Sequence, residues 1–214
     1  MQIDEGWFNF FAGELEKDYF SSVAGAVQTH RNEGKQVVPP DGTVFEPFKL
    51  TPFSDLKVVI LSDYPYDQRN HATGLAFSVL PGVPLTPELT NIYKELNRCL
   101  NVPIPKDGDL TKWAKSGVLL LNYVPTAEEG RRKAHKGLGW EQFTANCVKY
   151  ISANKEDRVV FCLWGKETQS AAVFIDKKKH LVLKTSSPSK LTVSQGFSGC
   201  GHFIHINQAT RIWE

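Results

Sequence analysis

The stretch that most restricts how this chain can fold is Lys57-Val-Val-Ile-Leu-Ser-Asp-Tyr-Pro-Tyr-Asp67. Its apolar run is too short for a helix and rich in β-branched residues, so it reads as a buried strand. Pro65 ends the pairing and forces Tyr64 out of helical conformation. Three more short apolar runs follow, Gly117–Leu121, Arg158–Trp164 and Leu181–Leu183. Helical patterns separate them. Thr86 is placed to cap and Pro87 to open one helix, with Leu89, Ile92, Tyr93, Leu96 and Leu100 on its apolar face. Trp140, Phe143, Cys147, Val148 and Ile151 mark another, and a short helix is expected from Glu167. Ahead of the first strand, Trp7 to about Arg31 reads as mostly helical, and Val37–Gly42 as a turn-rich loop.

Strands alternating with helices predict a three-layer α/β/α sandwich around a four-stranded, largely parallel sheet. No repeat or linker divides residues 1–214, which are expected to form one domain. In a parallel sheet the carboxyl ends of the strands share one edge, where ligands bind. Asp63 and Asp67, Asn122, Gly165-Lys166 and Ser187–Ser189 would converge there.

Hydrophobic content of 41% and charged content of 22% are those of an ordinary globular protein, and the formal charge is only +2. Nucleic-acid binding would therefore need a local basic face. No apolar run approaches the ~20 residues that cross a bilayer, and Met1-Gln-Ile-Asp-Glu does not begin a signal peptide. Membrane attachment and secretion are not expected. Cys99, Cys147, Cys162 and Cys200 form no Cys-x-x-Cys pair. Their spacing argues against zinc and a disulfide framework, and for reduced thiols inside a cell, in the cytoplasm or a eukaryotic nucleus.

The landmarks taken in order resemble the family 1 uracil-DNA glycosylases from about Val37 to Asn207. The matching residues include Pro39-Pro40, Lys57–Leu61, Pro65-Tyr66, Gly74-Leu-Ala-Phe-Ser-Val79 and Asn91-Ile-Tyr-Lys-Glu-Leu96. Gly117–Asn122, His135-Lys136, Gly139–Thr144, Leu163-Trp-Gly165, Pro188-Ser189, Leu191 and Gly196–Phe203 continue the match. The resemblance implies hydrolysis of the N-glycosidic bond of a uracil flipped out of DNA. It assigns Asn122 to reading the uracil edge, Phe77 to stacking and Tyr66 to excluding the thymine methyl. Asp63 belongs to the same base-binding group. Leu191 matches the wedge that fills the gap left by the flipped base. Lys166, Ser189 and Lys190 fall in the DNA-contacting loops. Glu88 replaces a phosphate-side serine and is expected to repel the backbone.

Two departures bear on chemistry. The family motif Gly-Gln-Asp-Pro-Tyr-His is Ser62-Asp-Tyr-Pro-Tyr-Asp67 here, so Tyr64 stands at the catalytic aspartate position. The family motif His-Pro-Ser-Pro-Leu is Ser187-Pro-Ser-Lys-Leu191, so Ser187 replaces the catalytic histidine. The expectation is a DNA-binding protein of this fold that excises uracil poorly or not at all. Its partner would be DNA, uracil-containing or structured. A protein partner, either a replication or repair component or an active glycosylase, is the scaffold version of the same reading; one poxviral member of the family serves a polymerase in this way. The alternative is an active glycosylase with a rewired site and altered base preference, in which Asp67 orients the water. No metal or other cofactor is expected, and the chain is expected to be a monomer.

Overall fold

A computed structural model describes residues 3–213. The central sheet contains β2 (Val58–Ser62), β3 (Val118–Asn122), β5 (Val160–Trp164) and β6 (Leu181–Thr185), in the order β3-β2-β5-β6. All three pairings are parallel. The register sets Ser62 beside Asn122 on one side and Trp164 on the other, and Trp164 beside Thr185. The four strand ends are therefore level at one edge.

Side chains of a strand alternate between its faces. Val59, Leu61, Leu119, Leu121, Phe161 and Leu163 pack on one side, under α1 (Glu5–Leu15), α2 (Asp18–Asn32) and α6 (Trp140–Asn154). Val58, Ile60, Val118, Leu120, Val160, Cys162 and Trp164 pack on the other. That side holds α4 (Pro87–Leu100), the short α5 (Thr111–Lys115) and α7 (His202–Thr210). The expected three-layer architecture is present. Cys147 and Cys162 are fully buried on opposite faces, as small core residues would be.

The differences are local. The N-terminal helical stretch is two helices, broken at Glu16-Lys17, where buried Glu14 binds Lys17, the Tyr19 hydroxyl and Asn146. Val37–Val38, expected as loop, is strand β1, paired antiparallel with β4 (Ala127–Glu128) about ninety residues away. The segment after Glu167 is a 3-10 helix over Thr168–Phe174. The short α3 (Glu46–Leu50) precedes the sheet. Among the described residues, no helix is long and apolar enough to cross a membrane.

Candidate nucleic-acid interface

The level strand ends open into a cleft of about 770 Å³. It is lined by Ser62, Asp63 and Tyr64 after β2, Lys166 and Glu167 after β5, and Ser186, Ser187, Ser189, Lys190 and Leu191 after β6. Seven of the candidate residues thus share one surface. Tyr66 and Asp67 line an adjoining hollow with Gln68, His71 and Thr86, and Pro87, Glu88 and Arg132 border both. Phe77 and Asn122 line neither and are buried.

Tyr64 is 5% exposed, and its hydroxyl is buried without a hydrogen-bond partner. Burial raises its pKa, and the Glu167 carboxylate adds to the rise. The Lys133 ammonium lies 5.7 Å from the centre of the ring. Lys136, held to Glu167 at 2.6 Å, lowers it in part by Coulomb attraction. The phenol is therefore neutral and sits in a cationic setting.

The side chain of Asp63, expected in the base-binding group, bonds to backbone. Its Oδ1 accepts the backbone N–H groups of Glu167 and Thr168, each at 3.1 Å. Burial raises its pKa against the lowering by those amides. The carboxylate ties the end of β2 to the loop bearing Lys166. Its carbonyl is also occupied, accepting from Val124 N–H at 3.1 Å.

The residues expected to read the base are tied into the fold. The Tyr66 hydroxyl lies 3.2 Å from the Phe77 carbonyl and 2.6 Å from Thr86 Oγ1. Phe77 adopts φ 66°, unusual for a bulky residue and a form of strain that costs about 1–3 kcal/mol. Its ring packs 5.8 Å from Trp164, whose indole N–H donates to His202 Nδ1 at 3.0 Å. Asn122 Oδ1 is buried with no hydrogen-bond partner among the described residues, an unmet acceptor.

The loop after β6 is knitted by hydroxyls. Thr192 Oγ1 donates to the Ser187 carbonyl at 2.8 Å, Ser186 Oγ to the Thr192 carbonyl at 2.8 Å, and Asn91 Nδ2 to the Pro188 carbonyl at 2.8 Å. Ser187 Oγ accepts Ser189 N–H at 3.3 Å. This bracing presents Leu191 at 85% exposure, the most exposed large hydrophobic residue described.

Glu88 does not act as a free repelling charge. Arg132 Nη1 lies 3.4 Å from Glu88 Oε1, and Nη2 donates to the Tyr64 carbonyl at 3.3 Å. The guanidinium also lies 5.9 Å from the centre of the Tyr66 ring. Arg132 and Lys133, which both line the cleft, were missed among the candidates. The basic run Arg131-Arg132-Lys133 was the signal available for them. The cleft thus offers Arg132, Lys133, Lys166 and Lys190 beside the exposed Leu191, a combination suited to a phosphodiester backbone.

Residues 48–211 match the Uracil DNA glycosylase superfamily. A uracil-DNA glycosylase of Azotobacter vinelandii is 42% identical over 208 residues, covering 97% of this chain and 89% of that protein. One from Aeromonas hydrophila is 46% identical over 203 residues, covering 94% and 91%. The crystal structure of mimivirus uracil-DNA glycosylase superimposes with a TM-score of 0.90 at 27% identity, over 98% of this chain and 84% of that one.

Proposed function

From the premise that this chain belongs to the uracil-DNA glycosylase superfamily, we propose that it binds DNA through the strand-end cleft and excises uracil poorly or not at all. One observation carries this reading. Tyr64, buried in the cleft that Ser187 also lines, stands where the resemblance puts the catalytic aspartate. Excision needs a carboxylate for the attacking water and the developing sugar cation, and a donor for the departing uracil anion. A neutral phenol supplies no negative charge, and Ser187 is a shorter donor than histidine. Loss of one oxyanion donor alone typically costs ~10²–10³ in rate.

DNA binding draws on Lys166 and Lys190, the backbone and hydroxyls around Ser189, and Leu191 as wedge. The resemblance assigns Asn122, Phe77 and Tyr66 to the uracil edge, the stack and the thymine methyl. They supply the recognition of uracil once a flipped base reaches the buried Phe77 and Asn122. The protein works as a monomer inside the cell, alone or with a replication or repair component or an active glycosylase.

The comparisons favour a second reading, an active glycosylase with a rewired site. Relatives bearing that name match at 42% and 46% identity along nearly the whole chain. In that version Asp67 orients the water and Tyr64 swings aside, because Asp67 lines the adjoining hollow and not the cleft.

Purified protein incubated with single- and double-stranded oligonucleotides carrying uracil separates the two, with binding and abasic-site formation both measured. Binding without turnover is expected. Turnover abolished by Asp67→Ala would sink the first reading in favour of the second. Binding indifferent to uracil, with no turnover, would sink every base-specific version. Tyr64→Asp combined with Ser187→His is expected to restore excision. A folded, DNA-binding double variant that stays inert means these two positions do not explain the loss.

A further inference from the structure

Away from the cleft, three side chains from distant parts of the sequence bring ligand atoms together. His30, near the end of α2, places Nδ1 3.0 Å from Nε2 of His135 in the loop before α6. The same His30 nitrogen lies 3.5 Å from Oε1 of Glu128 on β4. All three ligand atoms lie within 4.8 Å of one another. We propose that His30, Glu128 and His135 form a binding site for a divalent transition metal, zinc foremost, with a fourth position open to water.

The spacing fits the ion. Zinc takes imidazole nitrogen at 2.0–2.1 Å and carboxylate oxygen at 2.0–2.2 Å, so tetrahedral ligands stand about 3.3–3.4 Å apart. The His30–His135 and His30–Glu128 distances of 3.0 and 3.5 Å bracket that value, and the His135–Glu128 separation, within 4.8 Å, closes on binding. Imidazole with carboxylate is also a donor set that zinc accepts.

The supports behind the ligands fit as well. A ligating histidine normally fixes its ring by hydrogen bonding through its other nitrogen. His135 Nδ1 lies 2.7 Å from Thr126 Oγ1, which in turn accepts the Trp140 indole N–H at 2.7 Å. With metal on Nε2, His135 carries its proton on Nδ1 and donates it to Thr126. Glu128 is oriented similarly: Arg131 holds Oε2 at 2.6 Å, which leaves Oε1 turned toward His30. His135 is fully buried, while the His30 side chain is 22% exposed, so the ion has a way in.

Two cations already face the carboxylate, Arg131 on Oε2 and Lys35 on the oxygen turned to the site. Lys35 Nζ stands 3.8 Å from Glu128 Oε1 and pairs with Glu33 at 2.9 Å. Both charges oppose a metal ion, so the site binds more weakly than its geometry alone would allow. Occupancy would join α2, β4 and the loop that carries Arg132 and Lys133 into the cleft.

The test uses the whole chain stripped with chelator and titrated with Co(II) as a spectroscopic stand-in for zinc. Saturable one-to-one growth of tetrahedral Co(II) absorption, displaced by Zn(II), is expected. His135→Ala risks the fold because that ring is buried, so His30→Ala is the deciding variant, its folding checked by metal-free Tm. It should weaken binding more than ~10-fold. Lys35→Met should tighten it several-fold. No absorption change up to millimolar Co(II), or equal affinity in His30→Ala, would overturn the proposal and leave a hydrogen-bonded histidine pair.

Discussion

Asp63 holds its place because Gly165 has no side chain. Gly165 sits at φ 148°, a conformation that L side chains rarely adopt, and a Cβ there would collide with the Asp63 carboxylate. Gly165→Ala therefore combines backbone strain with overpacking and should destabilise the protein by about 2–5 kcal/mol in urea unfolding. Adding Asp63→Ala removes the collision but not the strain, so the double variant should recover part of the loss. No recovery would mean that the carboxylate is not what Gly165 accommodates. Residues were legible in the sequence where they departed from an expected motif, as Tyr64 and Ser187 do. What Asp63 bonds was not legible, because its partners are backbone amides a hundred residues away. His30, Glu128 and His135 were hidden for the same reason, since no local spacing joins positions 30 and 135. Glu88 looked repulsive because Arg132, its counter-charge, comes from a different loop.

At the scale of elements, what could be read locally was read well. Strands β2, β3 and β5 are runs buried on both faces, while β6 at the sheet edge is only partly buried with Lys184 exposed. The apolar residues of each mark it without reference to a partner. The two-residue strands β1 and β4 exist only through their mutual pairing, which no window of sequence contains. Helix α4 carried its own start signal in Thr86-Pro87. The Thr86 hydroxyl accepts Leu89 N–H at 3.2 Å and, 2.6 Å from Tyr66 Oη, can donate a hydrogen bond to that phenol oxygen. Tyr66 then donates to the Phe77 carbonyl, so one threonine serves both a helix end and the strained backbone at Phe77. Thr86→Val keeps the shape and deletes the hydroxyl. It should cost about 1–2 kcal/mol by thermal unfolding and loosen uracil-dependent binding if any is measured. Tyr66→Phe should lose less stability, since the cap remains. Equal losses would show that the cap contributes little.

For the molecule as a whole, buried groups with lowered pKa values set the response to acid: His135 and His202, each lowered to about 4 chiefly by burial, and Glu95. Burial lowers the His202 pKa to about 4, and the nearby His205 adds to this against the raising effect of Glu95. Its Nδ1 must stay unprotonated to accept from Trp164, which backs Phe77. Burial alone would raise Glu95, but Arg98 and the N–H groups of Gly199 and Gly201 bring it down to about 2. Both folded values lie below the unfolded ones, so both groups bind protons more readily once the chain unfolds. The His202 contribution is complete above about pH 6.5 and is lost as pH falls toward 4. The Glu95 contribution is complete above about pH 4.5 and is lost as pH falls toward 2. At roughly 1.36 kcal/mol per pH unit, each is worth about 3 kcal/mol at most. Urea unfolding across pH should therefore decline in two overlapping steps. His202→Gln, which cannot titrate, should shrink the step between pH 6.5 and 4 to the part that His135 contributes and leave the lower one. Glu95→Gln should do the reverse, from a lower starting stability because Arg98 loses its buried partner. If His202→Gln runs parallel to the unmodified protein from pH 7 to 4, the imidazole beneath Trp164 is not what acid attacks. The loss must then be assigned to groups outside this corner of the fold.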